Sequence, residues 1–428
     1  MKETQRTLPN GLRVVVVPQP QLHRAHVALF ARVGSRFETP KTNGISHFLE
    51  HMMYRGTPRL PHAHQVNLAF ESLGGYLYAA TQVDYGVFSV TVPEENIETA
   101  TTLFGEVVQS PTFPDIDVER GIVIEEILED LDDEGRDVDA DNLSRRLIYP
   151  DHPLGFTITG TEDHIQSFTE DTLRTHFRRH YTGETTVLAI AGAVDPARML
   201  DVAERAFEAL PRGARIEALA PTHDQTKPRL SLVDNASSQT ELRLSFRAVS
   251  ERSPQRAAMD MLMRILDDGM STRLYHRICD DQGLCYDVSS VFDGYEDDGI
   301  LDFAAGVQHG RAAKVTREIL ALLRELGETG PTEAELHKAR NRNAWDTRAM
   351  KDSAEDTAGF YAGGLLFERF QRPEERVEEN ARVTRDDIRD LARAVAQPER
   401  LNVIVVGTPD KEETKRLEEE VLGFRGAP

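Results

Sequence analysis

The chain has 428 residues, of which 39% are hydrophobic, and its formal net charge is −22 because 72 acidic side chains outnumber 50 basic ones. This charge argues against a general nucleic-acid-binding protein, which needs a cationic surface. No apolar run reaches the roughly 18 residues that a membrane-spanning helix requires. The first residues, MKETQRTLPNGLR, lack the apolar core of a signal peptide, so we expect a cytoplasmic protein.

The chain contains two cysteines, Cys279 and Cys285. Two are too few for a disulfide framework, and their spacing is not the C-x-x-C spacing of zinc and redox motifs. We therefore expect neither a zinc-binding nor a redox role for them.

The predicted elements come in the same order in both halves of the chain. In the first half, strands and helices are predicted from the apolar periodicity of LRVVVVPQ, AHVALFARVGS, NGISHFLEHMMYRGT, AHQVNLAFESLGG, YLYAATQVDYGVFSVTVP, NIETATTLFGEVVQSP, VERGIVIEEILEDLDDEGRDVDADNLSRRLIYP, TEDTLRTHFRRHY, TTVLAIAGAV and ARMLDVAERAFEALP. Asn43 is the predicted N-cap of the first of these helices. The second half repeats the plan from RLSLVDN to the buried strand RLNVIVVGTPD and a closing helix.

This repeated order predicts an α+β fold with two tandem homologous domains, each a mostly antiparallel sheet with helices packed on it. A segment rich in proline and polar residues separates the halves. We predict an N-terminal domain over residues 1–212, a linker over 213–228 and a C-terminal domain over 229–428. Both domains have an ordinary size.

The strongest chemical signal is the sequence H-F-L-E-H, which contains His47, Glu50 and His51. Residues three and four apart lie on one face of a helix, so the two imidazoles can chelate one metal ion with the carboxylate beside it. This is the inverted zincin order, H-x-x-E-H. A single histidine is more often a core or surface residue, but this combination favours a metal site.

A catalytic zinc site needs three protein ligands and an open position, so the two histidines require a third ligand. The segment VERGIVIEEILEDLDDEG offers Glu119, Glu125, Glu126 and Glu129. Glu119 and Glu126 are seven residues apart, about two turns along one helix face, so one can bind the metal while the other supports it. The spacing alone does not choose between them.

At these residues the sequence resembles the pitrilysin-type zinc peptidases, which include mitochondrial processing peptidase, and especially the bacterial short-chain members with two domains per chain. GISHFLEHMMYRGT is similar to the zinc helix of that family, and ERGIVIEEI is similar to its downstream glutamate segment. The resemblance implies that His47, His51 and Glu126 bind one zinc ion per chain, with Glu119 supporting them. It further implies a zinc metalloendopeptidase in which Glu50 takes a proton from the attacking water.

Further similar segments extend the resemblance over almost the whole chain and imply residues that bind substrate. The substrate is expected to add as an extended strand to the edge strand YLYAATQVDY, along Tyr78, Ala79 and Ala80. In the second domain, DDGMSTRLYHRICDDQGLCYDVSS resembles a segment whose arginine and tyrosine hold the substrate backbone. Tyr286 stands at the tyrosine position, but the arginine position falls on Cys279.

The departures from the family pattern concern substrate binding. Arg277 is two residues from Cys279, roughly on the opposite face of a helix, and is therefore a poor substitute for the missing arginine. The edge strand has Tyr78 where the family has asparagine, and Asp84 replaces a usual glutamate. We therefore expect intact zinc chemistry and altered substrate holding.

The resemblance also implies a clamshell chamber of four domains, so that a two-domain chain must dimerise to enclose peptides or unfolded segments. We expect a homodimer, or a heterodimer with a related chain that supplies the arginine absent at Cys279. Neither nucleic acid nor membrane is an expected partner. Two alternatives are a non-catalytic or heteromeric assembly subunit of a processing-peptidase-like complex, and a zinc hydrolase that acts on a small molecule.

Overall fold

The structure, a computed structural model, describes residues 2–426 and contains two β-sheets. Most strand pairs are antiparallel and helices cover the sheets, so the predicted α+β fold is confirmed. The strands are β1 (Thr4–Thr7), β2 (Arg13–Pro18), β3 (Arg24–Ala31), β4 (Tyr76–Thr81), β5 (Gly86–Pro93), β6 (Thr186–Gly192), β7 (Arg229–Asp234), β8 (Thr240–Arg247), β9 (Cys285–Gly294), β10 (Gly299–Val307) and β11 (Leu401–Gly407).

Apart from the additional edge strand β1, the two sheets share one strand order. The first sheet has the order β1-β2-β6-β3-β5-β4, and the second has the order β7-β11-β8-β10-β9. Strand β6 pairs in parallel with β2 and antiparallel with β3, and β11 pairs in the same way with β7 and β8. The two runs TTVLAIAGAV and RLNVIVVGTPD are therefore equivalent, as predicted. Strand β1 was not predicted because T-Q-R-T is short and polar.

The helices lie between the strands in blocks, as the apolar periodicity of the sequence predicts. They are α1 (Ile45–Met53), α2 (Ala63–Glu71), α3 (Ile97–Gln109), α4 (Ile116–Glu129), α5 (Ala140–Ile148), α6 (Glu162–Ser167), α7 (Glu170–His180), α8 (Pro196–Ala206), α9 (Arg256–Leu266), α10 (Arg273–Tyr275), α11 (Ala312–Thr329), α12 (Glu333–Ala349), α13 (Ala354–Leu366), α14 (Pro373–Arg382), α15 (Arg385–Val395) and α16 (Lys411–Leu422).

The chain divides into two compact units that are not continuous in sequence. Unit 1 comprises Met1–Glu129, Phe156–Leu219 and Arg348–Gln371, and unit 2 comprises Asp130–Gly155, Ala220–Thr347 and Arg372–Pro428. Each unit contains one sheet. The predicted division into 1–212 and 229–428 differs from these units, because residues 130–155 belong to unit 2 and residues 348–371 belong to unit 1.

The reason for this difference is the apolar face of each exchanged helix. In unit 1, α13 buries Ala354, Ala358 and Ala362 against Val187 and Ala189 of β6. Small side chains on both elements allow close approach of helix and strand. Helix α5 likewise belongs to unit 2, where β11 provides its apolar contacts. Chain position alone does not reveal which sheet a helix covers.

The predicted long helix over VERGIVIEEILEDLDDEGRDVDADNLSRRLIYP is wrong in its centre. Helix α4 ends at Glu129 and α5 begins at Ala140. The Asp132 carboxylate accepts backbone hydrogen bonds from Glu134 and Arg136, each at 2.9 Å, which stabilises a turn instead of a helix. Across the part of the chain that is described, no helix is both long and apolar enough to span a membrane.

Candidate metal centre

Helix α1 in unit 1 carries both predicted histidines and the glutamate between them. The rings of His47 and His51 lie edge to face one turn apart, with centroids separated by 4.7 Å and planes inclined by 70°. His47 is buried, whereas Glu50 and His51 are partly exposed. The i, i+4 spacing therefore places two imidazoles side by side, as predicted.

The start of α1 is fixed by a buried carboxylate that the sequence did not reveal. Asn43 is not the N-cap; Gly44 occupies that position at φ +92°. The Glu38 carboxylate accepts hydrogen bonds from the backbone N–H groups of Gly44 and Ser46, both at 2.8 Å. A Cβ atom at Gly44 would lie 2.5 Å from the carbonyl oxygen of Thr159, so glycine is required there. This packing holds the helix that carries the histidines.

Helix α4 supplies the third candidate ligand. Glu126 Oε1 lies 3.5 Å from His47 Nε2, and Glu126 Oε2 lies 3.5 Å from His51 Nε2. Glu119, two turns earlier on α4, is buried and accepts a hydrogen bond from His51 Nδ1 at 3.2 Å. This bond places a proton on Nδ1 and leaves Nε2, which faces Glu126, as the ring atom that could bind a metal ion.

These contacts show where the structure places the acids that the spacing left open. Glu126 faces the Nε2 atoms of both histidines, and Glu119 contacts the second ring from behind. Glu125 and Glu129 are exposed. The structure therefore brings His47, His51 and Glu126 together, and the metal-ligand role of Glu126 stays a prediction.

The three residues fit a zinc ion. Their ligand atoms lie within 4.8 Å of one another. In a tetrahedral zinc site with bonds of about 2.0–2.1 Å, adjacent ligand atoms are about 3.3 Å apart, which is close to the 3.5 Å between Glu126 and each imidazole. Within residues 2–426, His47 Nδ1 is buried and makes no hydrogen bond. Two nitrogens and one carboxylate leave a fourth position open.

In the metal-free centre, neighbouring charged groups shift the pKa values of His51 and Glu126. Burial by itself would lower the pKa of His51, but hydrogen bonds to Glu119 and Glu126 and the nearby charge of Glu50 raise that pKa to about 9. Hydrogen bonds from His47 and His51 hold the pKa of Glu126 well below its ordinary range. In the metal-free protein, the positive charge of the protonated His51 ring therefore replaces part of the charge that a metal ion would supply.

We expect the metal-free protein to lose stability as the pH rises from about 6.5 to about 9. The pKa of His51 is about 9 in the folded protein and about 6.5 in the unfolded chain. The protonated ring therefore stabilises the fold fully at a pH below about 6.5, and this stabilisation is lost as the pH rises through about 9. The loss is on the order of 3 kcal/mol. Chemical denaturation at several pH values measures it. His51→Gln should remove this component, and equal pH dependence in the variant would contradict the assignment.

Arg55 is a functional candidate that the sequence reasoning missed. It follows the end of α1, and its guanidinium contacts Glu119 Oε1 at 2.6 Å and Asp115 Oδ2 at 3.5 Å. The other oxygen of Glu119 contacts His51. A chain of contacts therefore runs from Arg55 through Glu119 to the imidazole. The spacing of four residues between His51 and Arg55 was the available signal.

We expect Arg55→Ala to weaken zinc binding by about 10–100-fold, because Glu119 loses the partner that fixes its orientation. Competition with a chelating dye measures the dissociation constant. Arg55→Lys keeps a positive charge beside Glu119 and should therefore restore part of the zinc affinity. A role of Arg55 in packing alone would not predict this recovery. Arg59→Ala is a matched control because Arg59 pairs with Glu106 at 2.6 Å and is exposed. An unchanged zinc affinity in Arg55→Ala would contradict this role.

The predicted substrate strand is the edge of the first sheet. Strand β4 pairs with β5 on one side, with Tyr78 opposite Ser89 and Ala80 opposite Val87. Tyr78 is exposed, and Ala79 and Ala80 are partly exposed. The hydroxyl of Tyr54, which caps the C-terminal end of α1, donates to the carbonyl oxygen of Tyr78 at 3.1 Å. This bond links the histidine helix directly to the edge strand.

In unit 2, the predicted substrate residue Tyr286 lies on β9, the edge strand of the second sheet, with 93% of its surface exposed. Arg277 is engaged elsewhere: it bonds Glu318 at 2.9 Å and both carboxylate oxygens of Glu325 at 2.9 Å. Arg277 is therefore held by two carboxylates and does not replace the arginine absent at Cys279. The role of Tyr286 in substrate binding stays a prediction.

Comparison with known proteins identifies similar sequences and folds. Residues 13–162 match the profile described as insulinase (peptidase family M16), and residues 167–343 match the profile described as peptidase M16 inactive domain. A protein of Streptomyces coelicolor named an uncharacterized zinc protease is 30% identical over 428 residues, covering 97% of this chain and 92% of its own. A Mycobacterium tuberculosis protein with the same description is 31% identical over 395 residues, covering 90% of this chain and 89% of its own.

Two solved structures share the fold across nearly the full chain. A protease from Helicobacter pylori superposes with a TM-score of 0.87 at 23% identity, covering 95% of this chain and 99% of the other. A structure from Pseudomonas fluorescens described as a peptidase M16 inactive domain has a TM-score of 0.88 at 20% identity, covering 96% and 99%. At these identities the similarity establishes the fold.

Proposed function

The chain belongs to peptidase family M16, and from this premise we propose that it is a zinc-dependent metalloendopeptidase. The observation that carries the proposal is the convergence of His47, His51 and Glu126, with Glu50 on the same turn of α1 as the second histidine. The names of the similar proteins support zinc and proteolysis. One ion per chain is part of the proposal because each chain contains one such cluster among residues 2–426.

In the proposed mechanism, His47, His51 and Glu126 hold the ion. A bound zinc ion supplies Lewis-acid polarisation of a carbonyl oxygen and lowers the pKa of water. Glu50 accepts a proton from the attacking water and later returns it to the nitrogen of the leaving amine. Its carboxylate is partly exposed and can therefore meet both water and substrate. Glu119 keeps the His51 proton on Nδ1 and the ring in position.

We propose that an extended peptide adds to the edge of β4. Backbone pairing along Tyr78, Ala79 and Ala80 would bind many sequences, because the main chain provides most of the hydrogen bonds. The bond from Tyr54 to Tyr78 supports this placement, since it ties the edge strand to the helix that carries Glu50. Tyr286 is proposed to contribute a further contact with the substrate backbone.

The proposed active form contains two chains. A homodimer would complete the four-domain arrangement expected from the family resemblance, and a heterodimer would in addition supply an arginine for the position of Cys279. A cytoplasmic location, expected from the sequence, also belongs to the proposal. Sedimentation of the purified chain and cell fractionation test these two points.

The test of function is digestion of an unfolded protein and of small ester and amide substrates, with and without a chelator, followed by mass spectrometry of the products. We expect chelator-sensitive cleavage of internal peptide bonds. Cleavage confined to the small substrates would indicate a small-molecule hydrolase. The substitution at Cys279 favours a second candidate, a heteromeric assembly subunit, for which the pure chain would cleave nothing and bind a related partner.

A further inference from the structure

The two cysteines of the chain lie next to each other in unit 2. Cys279 Sγ and Cys285 Sγ are 3.8 Å apart, and both residues are free and partly buried. They are the only cysteines among the 428 residues. The sequence spacing predicted no redox role, because a separation of six residues does not match a C-x-x-C motif. The two thiols nevertheless lie in contact.

The local fold brings the thiols together by ending a helical turn and starting a strand. The π-helical turn His276–Asp280 contains Cys279, and β9 begins at Cys285. Between them, the N–H of Gly283 donates to the carbonyl of Cys279 and the N–H of Leu284 donates to the carbonyl of Ile278, both at 3.0 Å. Gly283 has φ +55°, the left-handed conformation that closes such a helix end. The chain therefore reverses direction and aligns the two side chains.

We propose that Cys279 and Cys285 are a modification site at which a hydroperoxide forms a reversible intrachain disulfide. Sulfur atoms in a disulfide are about 2.0 Å apart, so the two sulfur atoms must approach by roughly 2 Å for the bond to form. The backbone hydrogen bonds of Gly283 and Leu284 hold the turn that brings the two cysteines together.

The proposed reaction proceeds in two balanced steps. The Cys279 thiolate attacks the peroxide, the O–O bond breaks, and the leaving oxygen takes up the proton that the thiol released, so that the products are a sulfenic acid and an alcohol or water. The Cys285 thiol then displaces the hydroxyl group, which leaves as water, and the S–S bond forms. Two thiols have lost two electrons, which the peroxide has gained. A dithiol reductant reverses the change.

The surroundings of the thiols make them slow to react. Burial raises the pKa of Cys285 to about 12, and burial also raises the pKa of Cys279, although the hydrogen bond from Cys285 opposes the shift. The carboxylates of Asp267, Asp280 and Asp287 add to the increase. Few thiolates exist at neutral pH, so we expect closure to need more oxidant or time than at an activated cysteine.

The position of the proposed disulfide gives it a structural consequence. It would tie the end of the helical turn to the first residue of β9, next to the exposed Tyr286. A cross-link restricts the open states of the segment it encloses. We therefore expect slower hydrogen exchange of the amides between Cys279 and Tyr286 in the oxidised protein.

The test uses the full chain, oxidised with hydrogen peroxide and then alkylated. A protease that cleaves before aspartate cuts at Asp280, between the two cysteines, so the two fragments stay joined only through a disulfide. We expect the joined fragments, a loss of both free thiols, and recovery of both after dithiothreitol. Separate fragments whose thiols are unmodified or carry sulfinic acid would overturn the proposal. A disulfide between two chains would also overturn it.

Two matched variants complete the experiment. Cys279→Ser and Cys285→Ser each leave one thiol in nearly the same space, so neither should yield joined fragments. Joined fragments in either variant would show that the product is not the proposed bond. Because the readout is covalent mass, the result does not depend on peptidase activity, and failure of this proposal is distinguishable from failure of the proposed function.

Discussion

Replacing Glu50 by glutamine is expected to abolish measurable peptide hydrolysis while leaving zinc bound. The candidate ligand atoms belong to His47, His51 and Glu126, so the change removes none of them. Glutamine has nearly the shape of glutamate but cannot accept the proton of the attacking water. Loss of a general base lowers rates by about 10²–10⁴-fold.

The measurement combines hydrolysis of a quenched peptide with zinc analysis of the same samples. Glu125→Gln is the matched control, because Glu125 is exposed on α4 and should retain full activity. Full activity in Glu50→Gln would refute the general-base role. Loss of zinc together with activity would instead show that Glu50 takes part in holding the ion.

The second large effect is expected from Glu126→Ala, which should lose zinc and therefore activity. The variant keeps both imidazoles but removes the carboxylate that faces each Nε2 at 3.5 Å. Altering residues that merely support ligands already costs about 10–100-fold in metal affinity, so removal of a ligand should exceed this range. Zinc content after dialysis and a dye-competition constant measure the effect.

Glu125→Ala and Glu129→Ala provide the controls for this second experiment. Both glutamates are exposed and close in sequence to Glu126, so they test whether loss of any acid on α4 lowers zinc content. We expect both variants to bind zinc normally. If one of them lost the metal while Glu126→Ala retained it, the ligand assignment would be wrong.

The histidine pair was predictable because a short motif within one helix fixes its own geometry. Residues 47 and 51 are one turn apart whatever surrounds the helix, and the structure places their rings 4.7 Å apart. The third candidate ligand was harder to predict, because Glu119 and Glu126 lie on the same face of α4 and both contact the imidazoles. The spacing reduced the candidates for the third ligand to Glu119 and Glu126, and the family resemblance indicated Glu126.

The features that escaped prediction depend on contacts between distant segments or on local chain reversal. Glu38, in a preceding turn, accepts a hydrogen bond from the N-terminus of α1. Arg55, which follows the C-terminal end of α1, contacts Glu119 of α4. Helix α13 covers the sheet of the first half although it lies in the second half of the sequence. The contact between Cys279 and Cys285 arises from a helix end that no motif spacing encodes.

The repeated order of elements along the chain was predictable for a different reason. The apolar runs of β6 and β11 are buried throughout and lie between strands of their own sheet, so their sequences are distinctive. Strands buried on both faces give continuous apolar segments. The short polar strand β1 lies at an edge and carries no such signal.

The central claim is that the convergence of His47, His51 and Glu126 holds a divalent ion that supports peptide hydrolysis. Its most direct test is to add zinc stepwise to metal-free protein and to measure hydrolysis of a quenched peptide at each step. We predict that the rate rises linearly and reaches a plateau at one zinc per chain. Hydrolysis at full rate without zinc, or a plateau unrelated to one equivalent, would contradict the account.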